Sequence, residues 1–145
     1  MEEIKEVFHF NHPLIPIEKN ENDNHINNIN KFNKQKSIYF NFKDRMIIHG
    51  FAGYFHSVLY GDITMSITPK QKSQDMNTSW FPIYFPSMKP IEIFKNETLI
   101  INIERINNKD NVWYSWNFSK MNEENVMTEV FPLQNFNGEK YKIKL

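Results

Sequence analysis

The chain has 145 residues with 17 basic and 17 acidic side chains, so it fits one domain with a single core, and no global charge draws it to nucleic acid or an anionic membrane surface. It contains no cysteine, which excludes disulfides, thiolate metal ligands and a cysteine nucleophile, and suits the reducing cytoplasm or nucleus. The charged start MEEIKEVFHF is unlike a signal peptide, and no run approaches the roughly 18 apolar residues of a membrane span, so a soluble intracellular protein is expected.

In chain order, Phe8 and Phe10 alternate within EVFHF at 6–10, a strand-like run. Residues 18–36, EKNENDNHINNINKFNKQK, are dominated by Asn, Lys and Glu, hold too few apolar groups to offset the entropy of ordering, and are expected to be a disordered insertion. Ile38, Phe40 and Phe42 begin the next strand. A glycine-relieved aromatic strand pair follows at HGFAGYF, where Gly50 and Gly53 mark either a barrel corner or a close approach by a partner domain.

Ile63, Met65 and Ile67 form another alternating set. Between residues 80 and 86, Trp80, Phe81, Tyr84 and Phe85 crowd beside Pro82 and Pro86, whose missing N–H groups bar an ordinary central strand. Leu99, Ile101 and Ile103, then Val112, Tyr114, Trp116 and Phe118, give two more strands joined by turn chemistry at 107–111. Met121 to Val130 could hold at most a helical turn or two, and Asn137-Gly138 reads as a tight hairpin before Tyr141, Ile143 and Leu145. At least six strands without alternating helices predict an all-β fold, an antiparallel barrel or sandwich.

Catalytic signatures are missing from this pattern. With four glycines in all, no G-x-G-x-x-G or G-x-x-x-x-G-K loop is present to cradle a nucleotide, and no G-x-S-x-G or H-E-x-x-H occurs. Glu123 and Glu124 adjoin in a polar stretch that reads as solvated surface. His9 and His12 have helical metal-ligand spacing, but on a strand-like run before Pro13, so no metal site is expected. His49 and His56 bracket the glycine region without a spaced carboxylate or nucleophile and read as partly buried, hydrogen-bonded histidines. Asn77, Asn96 and Asn117 open glycosylation-like triplets that an asparagine-rich chain contains by chance. Trp80 has two readings: composition favours a core indole, and the proline-stiffened loop offers a surface on which a flat cation could stack.

Three segments in order, IIHGFAGYFHSVLYGDITMSITP, TSWFPIYFPSMKPIEI and VWYSWNF, closely resemble the C-terminal β-barrel domain of the type II, symmetric-dimethylating protein arginine N-methyltransferases. FHFNHP at the start and NGEKYKIKL at the end extend the resemblance over the chain apart from the insertion, which is longer than the family pattern. The resemblance implies a substrate-side barrel, covering residues 1–145, that in the full enzyme follows a Rossmann-like catalytic domain and a TIM barrel. That catalytic domain would bind S-adenosylmethionine and carry the two catalytic glutamates, so this chain alone is expected to be inactive and to hold no cofactor, metal or catalytic residue. The family's SWFP tryptophan packs against the target arginine; it falls on Trp80, with Ser79 beside it meeting the substrate backbone. Thr78-Ser79-Trp80 matches the type II pattern, whereas sister families carry Thr-His-Trp there. The implied partners are arginine-containing proteins such as histones and other Arg/Gly-rich substrates, the chain's own catalytic domain, and further copies in a homo-oligomer, without nucleic acid or membrane. A free-standing peptide-binding or oligomerisation β-domain is the alternative.

Overall fold

The computed structural model describes residues 3–11, 33–69 and 80–144. The chain divides into two compact units, one formed by 1–46 with 93–145 and the other by 47–92. Among the described residues the order is β1 (Lys34–Asn41), β2 (Met46–Gly53), β3 (His56–Tyr60), β4 (Ile63–Ser66), β5 (Ile83–Ile93), β6 (Thr98–Asn107), β7 (Asn111–Met121), β8 (Met127–Val130), a 3-10 turn at Phe136–Gly138, and β9 (Ile143–Lys144). Every residue-level pairing in the larger unit and in the β3–β4 hairpin is antiparallel, as an all-β chain of short strands predicts. The largest sheet runs β1-β6-β7-β8 with β9 also on β7, and it stays open among the described residues.

Strand β6 is the middle of the larger unit because its register aligns apolar side chains across three strands. Ile101 sits opposite both Ile38 and Phe118, Ile103 opposite Trp116, and Leu99 opposite Phe40. Residues directly opposite share a face, so this one is a continuous apolar stripe. Trp116, Phe118, Leu99, Ile101 and Ile103 are all buried on it. Ile100, on the other face, is buried as well, so the centre of β6 is covered on both sides.

Asparagine chemistry forms the turns. Asn108 Oδ1 accepts from the backbone N–H of Asp110 and Asn111, closing the β6–β7 hairpin. Asn122 Oδ1 accepts from the N–H of Glu124 and Val126, and Asn125 takes the left-handed conformation with φ 62°. Met121 to Val130, which had room for a helical turn or two, takes none: the segment reverses at once and β8 pairs with β7, tied by a Lys120–Glu129 ion pair of 3.0 Å.

Three further expectations need correction. EVFHF forms no strand; its Phe8 stacks on Tyr114 at 6.5 Å and Phe10 lies beneath Lys34 and Arg105, so side chains hold the segment instead of a backbone ladder. The proposed insertion at 18–36 ends earlier, because Lys34, Gln35 and Lys36 already pair with Arg105, Glu104 and Ile103; the part before residue 33 lies outside the described residues. Asn137-Gly138 makes no hairpin. It lies in a 3-10 turn whose Gly138, at φ 67°, sits where an added Cβ would come 3.0 Å from the Trp113 ring, and the chain then returns to pair β9 with the start of β7.

In the smaller unit β2 pairs with β5 and β3 with β4. Gly50 gives HGFAGYF a local reason that is neither of the two readings offered for it. At φ 154°, an added Cβ would fall 2.3 Å from the Phe85 carbonyl oxygen and 2.7 Å from Tyr84 Oη. The close approach is therefore by β5 of the same chain, and only glycine admits it. Next to it Phe51 and Phe85 stack with ring centroids 4.5 Å apart and planes 7° from parallel, and Phe85 is 3% exposed.

Candidate functional site

The aromatic-proline segment sorts its rings by strand geometry. Phe85 turns inward onto Phe51, while Trp80, Phe81 and Tyr84 remain exposed. Because the Phe85 carbonyl faces Gly50, Pro86 falls on the opposite edge of a regular strand, where its missing N–H breaks no bond to β2. The prolines are thus compatible with β5 as a strand with one named neighbour, and they fix the backbone course leading out of Trp80.

Trp80 is 57% exposed, against the core placement that composition alone favours. It is nevertheless held: its ring meets Phe55 edge-on, with centroids 5.7 Å apart and planes at 82°. Phe55 is pinned in turn. Its carbonyl accepts the Ile67 N–H at 3.1 Å and the Ser66 hydroxyl at 3.4 Å, and that hydroxyl also lies 2.9 Å from Thr68 Oγ1. The end of β4 therefore fixes Phe55, and Phe55 fixes one side of an indole that keeps most of its surface in solvent. Such an arrangement can offer a planar, electron-rich surface to a flat cation and cannot move protons. Ser79 lies outside the described residues.

The remaining titratable candidates are not brought together. His49 and His56 are exposed, which corrects their expected partial burial: both stand on the solvent side of their strands; His9 Nε2 lies 2.8 Å from Asn11 Oδ1, and His12 is outside the described residues. Glu123 accepts a hydrogen bond from the Asn96 side-chain amide, and Glu124 is exposed. Among the described residues no group of three His, Asp or Glu side chains could hold a metal ion.

Two features escaped sequence reasoning. On one face of the larger unit's sheet, Ser37 Oγ donates to Asn102 Oδ1 at 2.6 Å and Asn102 Nδ2 donates to Asn117 Oδ1 at 2.9 Å. This polar ladder crosses three strands on the floor of an open depression of about 410 Å³ that Glu104, Gln35 and Leu133 also line. Its residues alternate with the buried stripe, a signal present in the sequence but overshadowed by the apolar partners. The other is Asn135, buried and hydrogen-bonded through every side-chain donor and lone pair, which a lone Asn near a turn does not announce.

Fold and site together define an all-β domain of antiparallel sheets that displays an aromatic surface. More narrowly, the chain belongs to the PRMT5 oligomerisation domain family, whose pattern matches residues 1–143. It is similar to Protein arginine N-methyltransferase 5 of Xenopus laevis, 49% identical over 70 residues that cover 48% of this chain and 11% of the relative. It is also similar to Protein arginine N-methyltransferase skb1 of Schizosaccharomyces pombe, at 38% over 114 residues, 76% of this chain and 17% of the relative. Against Protein arginine N-methyltransferase 5 of Caenorhabditis elegans it is 33% identical over 146 residues, 99% of this chain and 18% of the relative. The chain thus spans between 11% and 18% of the length of these curated relatives.

Proposed function

We propose that this chain is the substrate-side domain of a protein arginine N-methyltransferase, which transfers methyl groups from S-adenosylmethionine to arginine in histones and other Arg/Gly-rich proteins. The observation that carries the reading is the family match over residues 1–143, combined with an exposed Trp80 braced by Phe55 within SWFP. On this reading the chain contributes position, not chemistry. The indole, with Ser79 against the peptide backbone, holds the guanidinium in line with the methyl donor, which another domain binds together with the catalytic glutamates. The enzyme would work in the cytoplasm and nucleus on protein substrates, without nucleic acid or membrane partners. The family's description also supports a second role, self-association of the domain in a homo-oligomer.

A guanidinium over an indole gains about 0.5–2 kcal/mol, enough to orient an arginine but not to hold it unaided. In the longer enzyme, Trp80→Ala is therefore expected to lower kcat/KM for an Arg/Gly-rich peptide by about two- to thirtyfold, with methyl-donor affinity unchanged. Loss of methyl-donor binding or of folding in the same variant would make the indole a structural residue and refute the positioning role.

A further inference from the structure

The two faces of the larger unit's sheet differ in charge. By register, Lys34, Lys36, Arg105 and Lys120 fall on the face of the apolar stripe. On the opposite face the rows Gln35-Glu104-Ser115 and Ser37-Asn102-Asn117 cross β1, β6 and β7, and Glu104 is the only formally charged side chain those three strands place there. Both rows line the open depression of about 410 Å³. Glu104 is partly buried, and among the described residues its carboxylate makes no hydrogen bond or ion pair. Withdrawing a carboxylate from water costs free energy that a bonded partner ordinarily offsets. Beside it, the polar ladder fixes the Asn102 amide between Ser37 and Asn117 and occupies Asn117 Oδ1, which leaves Asn117 Nδ2 without a partner among the described residues. Lys36 also borders the depression, but its ammonium donates to the Glu6 carbonyl at 2.7 Å.

We infer that this depression is a binding site for the cationic side chain of a basic peptide segment. Glu104 receives the charge, because a carboxylate accepts charge-assisted hydrogen bonds from an ammonium or a guanidinium. Asn117 Nδ2 supplies a donor for a peptide carbonyl beside that side chain. Leu133, 45% exposed at the rim, gives the methylene stem of a lysine or arginine an apolar surface to lie on. A metal ion is a poor occupant: one carboxylate falls short of the six or more oxygen ligands a hard cation takes, and no group of three His, Asp or Glu side chains gathers among the described residues. The volume lies at the lower end of the roughly 300–1,000 Å³ usual for small-ligand sites, which suits one side chain with its flanking backbone. The site belongs to the larger unit and Trp80 to the smaller, so neither role depends on the other.

Glycine-flanked pentapeptides with arginine, lysine or the neutral isostere citrulline at the centre, titrated at low salt into the nitrogen-labelled chain, test this through the side-chain amide signals of Asn102 and Asn117. The arginine and lysine peptides are expected to shift both signals with a Kd on the order of millimolar, and the citrulline peptide to leave them in place. Glu104→Gln should weaken the two cationic peptides about fivefold, the upper end for a partly exposed ion pair. Gln35→Glu, which sets a second carboxylate directly opposite Glu104, should tighten them by a similar factor. Because Glu104 loses no partner in the fold, Glu104→Gln should leave the urea midpoint where it is. Citrulline binding as tightly as arginine, or affinity indifferent to both variants, overturns the site. Shifts confined to the Trp80 indole overturn it while leaving the positioning role of Trp80 standing, and shifts at Asn117 with none at Trp80 sustain it. In the longer protein the lysine peptide should again lose affinity in Glu104→Gln; indifference there would show the depression to be covered by another part of the same protein and overturn the site as well.

Discussion

Gly50 carries the most consequence per atom of any residue in the smaller unit. An alanine there would place Cβ 2.3 Å from the Phe85 carbonyl oxygen, and strand backbone cannot move aside as a flexible side-chain tip can. Gly50→Ala is expected to lower unfolding free energy by about 2–3 kcal/mol, read as a shift in urea midpoint, with a loss of the near-ultraviolet signal from the stacked Phe51–Phe85 pair. Asn135 does the corresponding work in the larger unit. At φ 51° and 2% exposed, its side chain donates to the carbonyls of Tyr114 and Tyr141 and accepts from the N–H of Lys140 and Tyr141. Ala would leave those four backbone groups unpaired, so Asn135→Ala should cost about 2–4 kcal/mol and release β9, visible as faster amide exchange at Val112 and Ile143. Beside this clamp, desolvation raises the pKa of Tyr141 above 10.0. The folded state then favours the neutral phenol. The stability it contributes is complete below the unfolded pKa and is lost as pH rises through the folded one, so the C-terminal segment should loosen only in strong alkali, with one tyrosine ionising late at 295 nm.

At the scale of elements, β6 and β8 show how register and burial, not strand propensity, set importance. Ile101 is buried between Ile38 and Phe118, whereas Val130 lies on a short strand with every residue exposed. Ile101→Ala should therefore cost about 2–5 kcal/mol by opening a cavity in the stripe, while Val130→Ala should stay within about 0.5 kcal/mol, both measured by urea unfolding. The segment before β1 is attached differently. Lys5 donates to the Tyr39 carbonyl and Lys36 to that of Glu6, so the run that looks like a strand in sequence is held by lysine side chains against the edge strand. Such lysines also discourage another chain from pairing with that edge.

For the whole molecule, the chain belongs to the PRMT5 oligomerisation domain family and spans at most 18% of the relatives cited; the proposed function assigns the methyl-transfer chemistry to another domain. Incubated alone with S-adenosylmethionine and an Arg/Gly-rich histone-tail peptide, the chain should transfer no methyl groups, while the longer protein should do so. Transfer by the isolated chain would refute the division of labour in which this domain positions the substrate and another one reacts with it. Among the described residues no helix is long and apolar enough to cross a membrane.

Much of this was legible before any coordinates. Period-two alternation at Leu99–Ile103 and Val112–Phe118 located β6 and β7, because a strand with one buried face must write that face into every second residue. The family, too, could be read from HGFAGYF and SWFP, whose glycines and prolines answer to backbone constraints that few other residues satisfy. What the sequence could not supply was the choice of partners. EVFHF alternates as a strand should, yet finds no backbone ladder; Met121 to Val130 has weak patterning, yet β7 recruits its end as β8; Trp80 and Phe85 are both aromatic, yet one is exposed and the other buried. Each outcome depends on which distant strand arrives alongside, and that is settled by long-range packing and hydrogen-bond satisfaction, which only the tertiary structure contains.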